Sequence, residues 1–181
     1  MKNIRPRYCP SLPGISSFPE FNIRLYVTAQ GQPGVFFLTL DAQSRITTSY
    51  APFAYSLPYV YAKGHVCPTH EGGYRWEMRR QRDDLEFAGH TTPKGPLRQA
   101  DKDSLEDFLF ERYCFYTLHQ GRLHRAYTCH AQWSFQDGTA TLASNSFTEH
   151  YKLGISTPLQ PELVHVTKGV DVQTWGIEAA F

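Results

Sequence analysis

The sequence predicts a mainly β (α+β) fold, built from antiparallel strands with two or three peripheral helices. Three observations carry that prediction. Apolar residues alternate at period two in several short runs. Turns rich in Gly, Pro, Asp and Asn-like polar residues separate those runs. No regular strand–helix alternation points to a parallel sheet. The 181 residues fit one domain, and 41% hydrophobic residues suffice for a core. An aromatic content of 14% adds a bias toward strands.

The elements follow in order. Residues 1–19 are rich in Pro and Arg and read as an extended arm. In 21–27, Phe21, Ile23, Leu25 and Val27 point one way, and Asn22, Arg24 and Tyr26 the other. The turn at 30–34 leads into a strand over 35–40, so the two form a hairpin with a longer loop. Segment 44–55 has helical spacing, but Thr47 and Thr48 weaken it and Pro52 interrupts it. Pro58 introduces a strand over 59–67. Segments 74–80 and 84–90 pair around a polar turn, and 91–100, with Pro93, Gly95 and Pro96, reads as a loop.

Ser104 opens the clearest helix, over 104–113. It is an N-cap with acids at Glu106 and Asp107, and Leu105, Phe108 and Leu109 form an apolar stripe that reaches toward Arg112. Residues 113–118 and 122–130 read as two strands joined at Gly121. A strand at 140–142, a short helix over 147–153 and a closing hairpin of 162–166 with 170–175 complete eight or nine strands.

Charge and cysteine usage exclude several function classes. A net charge of +1 gives no global field for nucleic acid or membrane. The four cysteines form no C-x-x-C pair, which favours free thiols in a reducing cytoplasm. There is no apolar run of signal-peptide or membrane-span length. The expected localisation is cytoplasmic.

Five segments together resemble the YqjF-like bacterial family, whose function is uncharacterised, of the acetoacetate-decarboxylase-like superfamily. They are FPEFNIRLYV at 18–27; PGVFF at 33–37 leading to Leu40 and Asp41; LPY at 57–59 with Tyr61 and Ala62; SLEDFL at 104–109 with ERY at 111–113; and GVDV at 169–172 with Trp175. They occur in the family's order. The resemblance implies a strongly curved antiparallel sheet, or β-cone, enclosing a pocket, with the chain as a single domain over 1–181. It also implies an N-terminal truncation, because family members usually carry a further segment before the part matching 4–14. Strands that pair with the first hairpin are then missing, and an uncovered strand edge invites a homodimer.

The resemblance also bears on chemistry. Acetoacetate decarboxylases carry Gly-aromatic-Pro-Lys-Lys, in which one lysine forms a Schiff base. The similar stretch here is SLPYV at 56–60, so Tyr59 and Val60 stand where the lysines would be. Neither forms an imine. Lys63 shares a strand face with Tyr59 and Tyr61 and is the nearest lysine; the competing reading is a solvated side chain. Glu20 and Arg24 lie on the polar face of the first strand and suit a polar or anionic ligand if that face lines the pocket, against a solvent-facing side. Arg112 is read as a structural cation paired with Glu20 or Glu111, with ligand binding as the alternative.

The run Arg75, Arg79, Arg80 and Arg82 sits among Glu77, Asp83 and Asp84 and reads as a mixed-charge surface rather than a phosphate track. His65, Cys67, His124, Cys129 and His130 lack the tight spacing of a structural zinc site, so no metal and no cofactor are expected. The leading expectation is a small-molecule binding protein whose pocket is lined by Glu20, Arg24, Tyr59, Tyr61, Lys63 and Arg112, without Schiff-base decarboxylase activity. The alternatives are acid–base catalysis on a small oxo-acid-like compound and a non-functional fragment.

Overall fold

The computed structural model describes residues 1–5, 8–13, 15–155 and 161–181. Its elements are β1 (Glu20–Ala29), β2 (Gln32–Ala42), α1 (Arg45–Tyr55), β3 (Tyr59–Tyr61), β4 (Lys63–Pro68), β5 (Tyr74–Arg80) and β6 (Leu85–Gln99). Then come α2 (Leu105–Phe110), β7 (Cys114–His119), β8 (Arg122–His130), β9 (Ser134–Asn145), α3 (Phe147–His150), β10 (His165–Thr167), β11 (Val172–Thr174) and β12 (Glu178–Ala179). The fold is mainly β, as expected, with three short helices.

The strands form two sheets. The first runs β1-β2-β7-β8-β11, with β3 on the end of β2 and β12 on β8. The second runs β10-β9-β6-β5-β4 and curls into a half-barrel. All pairs are antiparallel except β2 with β3 and β2 with β7. Both faces of the first sheet carry apolar clusters. Val35, Phe115 and Ala126 pack on one face, and Cys114, Tyr116 and Ala180 on the other. Gly34 permits the close approach of β2 to β7, since a Cβ there would lie 2.7 Å from the Tyr116 ring.

Where the chain departs from expectation, local physics gives the reason. The arm expected to be extended brings its two ends together among the described residues, with Ile4 N–H donating to Ser16 O and Phe18 N–H to Met1 O. That return buries Phe18. β1 pairs with β2 across a register shift between Ile23 and Arg24, which leaves Leu38 of β2 without a cross-strand partner on β1. Leu25, expected on the apolar face, is 44% exposed, while Tyr26 packs against the Val35–Phe115 cluster.

Segment 45–55 is helical despite Pro52. Ser44 caps it by accepting from Thr47 N–H, and Pro52 falls in the last turn, where one lost hydrogen bond is tolerated. The expected strand 59–67 is two strands that part at buried Ala62 and enter different sheets.

The expected loop 91–100 is the second half of β6. Its pairing with β5 ends at Thr91, so beyond that point only the β9 side is hydrogen-bonded. The free side and the register shift between Lys94 and Arg98 accommodate Pro93 and Pro96. The short strand expected at 140–142 is part of the longer β9. The closing hairpin does not form, because β10 pairs with β9 and β11 with β8, in different sheets. Helix α2 is shorter than expected and ends before Arg112. Its anchoring contact is Phe110 stacked on buried Phe135 at 4.5 Å, while Leu105 and Phe108 stay exposed.

Candidate functional site

The alternation of β5 turns Tyr74, Trp76 and Met78 toward the concave face of the second sheet, with Arg80 at the end of the same row. Phe87 of β6 lies beside them, stacked on Trp76 at 5.7 Å. Phe21 of β1 closes over this row and stacks on Phe87 at 4.2 Å. A cavity of about 310 Å³ remains between the sheets. It is lined by Glu20, Phe21, Trp76, Met78 and Phe87, and by both edge strands of the second sheet, Val66 from β4 and Val166 from β10. That both edges meet at one cavity follows from the curl of the sheet.

The polar residues of the wall are Glu20, Tyr74, Glu77, Thr91, His165 and Thr167. Tyr59 Oη donates to Glu20 Oε2 at 2.9 Å. Burial pushes the Glu20 carboxyl above its usual range, and the hydrogen bond from Tyr59 offsets this only in part. Burial and the adjacent Glu20 together raise the Tyr59 phenol, which stays protonated. The buried Trp76 Nε1–H has no hydrogen-bond partner among the described residues. No Arg or Lys lines the cavity among the described residues.

Beside the cavity, a buried ion pair ties the sheets together. Arg80 of β5 donates from Nε to Asp41 Oδ1 at 2.6 Å and from Nη2 to Asp41 Oδ2 at 2.8 Å. Thr39, Asp83 and Tyr151 accept its remaining hydrogen bonds. Burial alone would lower the Arg80 pKa, but the bonds to Asp41 and Tyr151 outweigh it and raise it. The negative charge of Asp41 in turn adds a small upward push to the Glu20 carboxyl, behind burial.

Of the six residues singled out from sequence, the structure brings Glu20 and Tyr59 together at 2.9 Å. It does not bring in the others. Arg24 is exposed, 5.6 Å from the Tyr26 ring centroid. Tyr61 is covered by Arg45 at 4.6 Å. Lys63 is exposed and pairs with Arg79 across β4 and β5. Arg112 donates to the Glu111 carbonyl and stacks on Phe108 at 4.3 Å, so its partner is neither carboxylate suggested by sequence. Trp76, Met78 and Phe87 were missed as site residues, and so was the inward turn of Arg80. The alternation from Tyr74 to Arg80 was the available signal.

Glu106, Asp137 and His165 approach as a group with metal-ligating atoms. Arg98 Nη2 already bridges the two carboxylates, at 3.0 Å to Glu106 and 2.7 Å to Asp137, so its single charge offsets part of theirs.

Comparison with known proteins assigns the family. The DUF2071 family, described as an uncharacterised conserved protein, matches residues 1–171. The uncharacterised protein YqjF of Bacillus subtilis is 35% identical over 177 residues, which span 97% of this chain and 72% of that protein. The crystal structure of acetoacetate decarboxylase from Legionella pneumophila superposes with a TM-score of 0.62 at 14% identity, covering 92% of this chain and 69% of that one. The enduracididine biosynthesis enzyme MppR complexed with pyruvate superposes with a TM-score of 0.54 at 13% identity, covering 91% and 65%. The two structural likenesses carry the fold, and the family match together with the YqjF relative shows that this chain belongs to the DUF2071 family.

Proposed function

We propose that the cavity binds a small molecule with an apolar body and one polar group, and that it does so without Schiff-base chemistry. The observation that carries the reading is a wall of Phe21, Trp76, Met78 and Phe87 that includes the half-buried Glu20. About 310 Å³ equals roughly ten waters by liquid volume, so the ligand is small. Apolar walls supply affinity through burial, and the Glu20 carboxyl supplies one directional hydrogen-bonding group. The carboxyls of Glu20 and Glu77, with no Arg or Lys in the lining among the described residues, favour an uncharged polar group, such as a carbonyl, over an anionic one.

The placement of the lysines supports the second half of the proposal. All six are exposed, and none lines the cavity. Lys63, the sequence candidate for imine rescue, lies on the outer strand β4 with its side chain in solvent. An imine needs an uncharged amine held at the substrate carbonyl, and desolvation is a usual way to obtain one. An exposed lysine lacks that device.

A second reading rests on the raised carboxyl of Glu20. A half-buried carboxyl with a raised pKa beside a phenol is equipped for general acid–base work on a small oxo compound. Two measurements separate the readings. Incubation with acetoacetate or pyruvate and borohydride, followed by mass spectrometry, is expected to give no adduct. A stable adduct on Lys63, lost in Lys63→Ala, would overturn the proposal. Proton–deuterium exchange at the α-carbon of the same compounds, abolished in Glu20→Gln, would favour acid–base catalysis over binding alone.

A further inference from the structure

We propose that His119 and His124 form a binding site for a divalent transition-metal ion of the zinc type, at the turn between β7 and β8. Three observations on this hairpin carry the inference.

The first is placement. Gln120 and Gly121 both take positive φ, 51° and 76°, in the two-residue turn that joins the strands. The register then sets Thr117 opposite His124 and His119 opposite Arg122. His119 and His124 are therefore diagonal neighbours on one face, within reach of each other across the ladder.

The second is ring geometry. The centroids lie 5.2 Å apart and the planes stand at 78°. Imidazole nitrogens bind zinc at about 2.0–2.1 Å, which puts each ring centroid about 3.2 Å from the ion. Two such rings at a tetrahedral angle have centroids roughly 5 Å apart. The hairpin thus holds its two rings at the spacing that a shared ion requires.

The third is the hydrogen bonding behind the rings. His124 Nδ1 faces the carbonyl oxygen of Arg122 at 3.2 Å. A carbonyl only accepts, so a neutral His124 carries its proton on Nδ1 and keeps a lone pair on Nε2. His119 Nδ1 lies 2.7 Å from Ser56 Oγ, which can accept that proton. Ser56 is fixed in turn, because it caps α1 in the left-handed region at φ 51° and its carbonyl accepts from Thr117 Oγ1. Metal-binding histidines generally have the second nitrogen tied to an oxygen in this way. Neither Nε2 has a hydrogen-bond partner among the described residues. Water completes the coordination shell, and exposed Arg122 is free to turn outward.

An ion here would clamp the β7–β8 turn to the end of α1 through Ser56. The test is a zinc chloride titration of the full chain by calorimetry near neutral pH, with the exposed thiols of Cys9, Cys67 and Cys129 alkylated. The expected result is one zinc per chain. His119→Ala and His124→Ala each weaken binding at least tenfold, Ser56→Ala weakens it by less, and Asp137→Asn has no effect. Long-range proton–nitrogen spectra of the unmutated protein should show zinc-dependent shifts at Nε2 of both histidines, which keeps the test valid if a variant misfolds. Absence of binding, binding indifferent to both histidine variants, or loss in Asp137→Asn would overturn the proposal.

Discussion

Replacing Arg80 with Met removes one partner of the buried pair that joins the sheets. The side chains of Arg80 and Asp41 are 3% and 0% exposed, so the carboxylate left behind has no access to water. Thr39 Oγ1 donates to Asp41 Oδ2 and remains, but both guanidinium bonds are lost. Stranding one member of a buried pair costs about 3–5 kcal/mol, because its desolvation is no longer offset. For a domain of this size each kcal/mol moves the melting temperature by roughly 2–4 °C, so Arg80→Met should melt roughly 6–20 °C lower. Thermal unfolding followed by circular dichroism measures this. Adding Asp41→Leu removes the stranded charge and should recover more than half of the loss, a non-additivity that mere loss of Arg80 packing would not give. A single variant within about 2 °C of the parent would refute the reasoning, since it would mean the pair is solvated or dispensable.

Three further outcomes follow from the structure. Glu20→Gln should stabilise the protein at pH 8 and leave it unchanged near pH 4. The folded carboxyl titrates above the ordinary 4.5, so ionising Glu20 costs stability as pH rises through that window; urea unfolding at both pH values checks this, and an equal effect at both would contradict it. Ser104→Ala should cost about 1 kcal/mol, because Ser104 Oγ accepts from Asp107 N–H at 3.1 Å, and an unchanged denaturation midpoint would dismiss the cap. Gly89→Ala puts a Cβ 2.5 Å from Thr141 O and 2.9 Å from Trp76 Cζ2, so it should cost about 1–3 kcal/mol and shift the tryptophan emission. Unaltered emission and stability would show that the Trp76 wall is loosely packed.

What sequence conveyed was mostly local. Period-two alternation located β1, β5 and β8, and the Ser104 cap located α2, because both signals arise between near neighbours. The fold family was legible through five ordered segments. The register shift between β1 and β2 was not, since the unpaired Leu38 of β2 leaves no mark in composition. Nor was the difference between Arg24, which is exposed, and Glu20, which is half-buried in the cavity wall, although both stand on the same face of an ideal strand. The Arg80 pairing was hidden differently. Four arginines in eight residues look alike, and only Asp41, thirty-nine positions away, distinguishes the one turned inward.

The link between Glu20 and Tyr59 shows how such long-range chemistry is built from register. Glu20 pairs with Ala42 on one side of β2, while Tyr61 pairs with Ala42 and Tyr59 with Leu40 on the other. All five therefore share a face of the sheet, with β2 between the carboxyl and the phenol. Ala42 is fully buried and ends in a methyl group. A longer side chain would stand between β1 and β3 at the row where Tyr59 reaches toward Glu20. The strand that separates the two groups thus also permits their contact. Through that contact Tyr59 Oη partly offsets the rise that burial imposes on the Glu20 carboxyl.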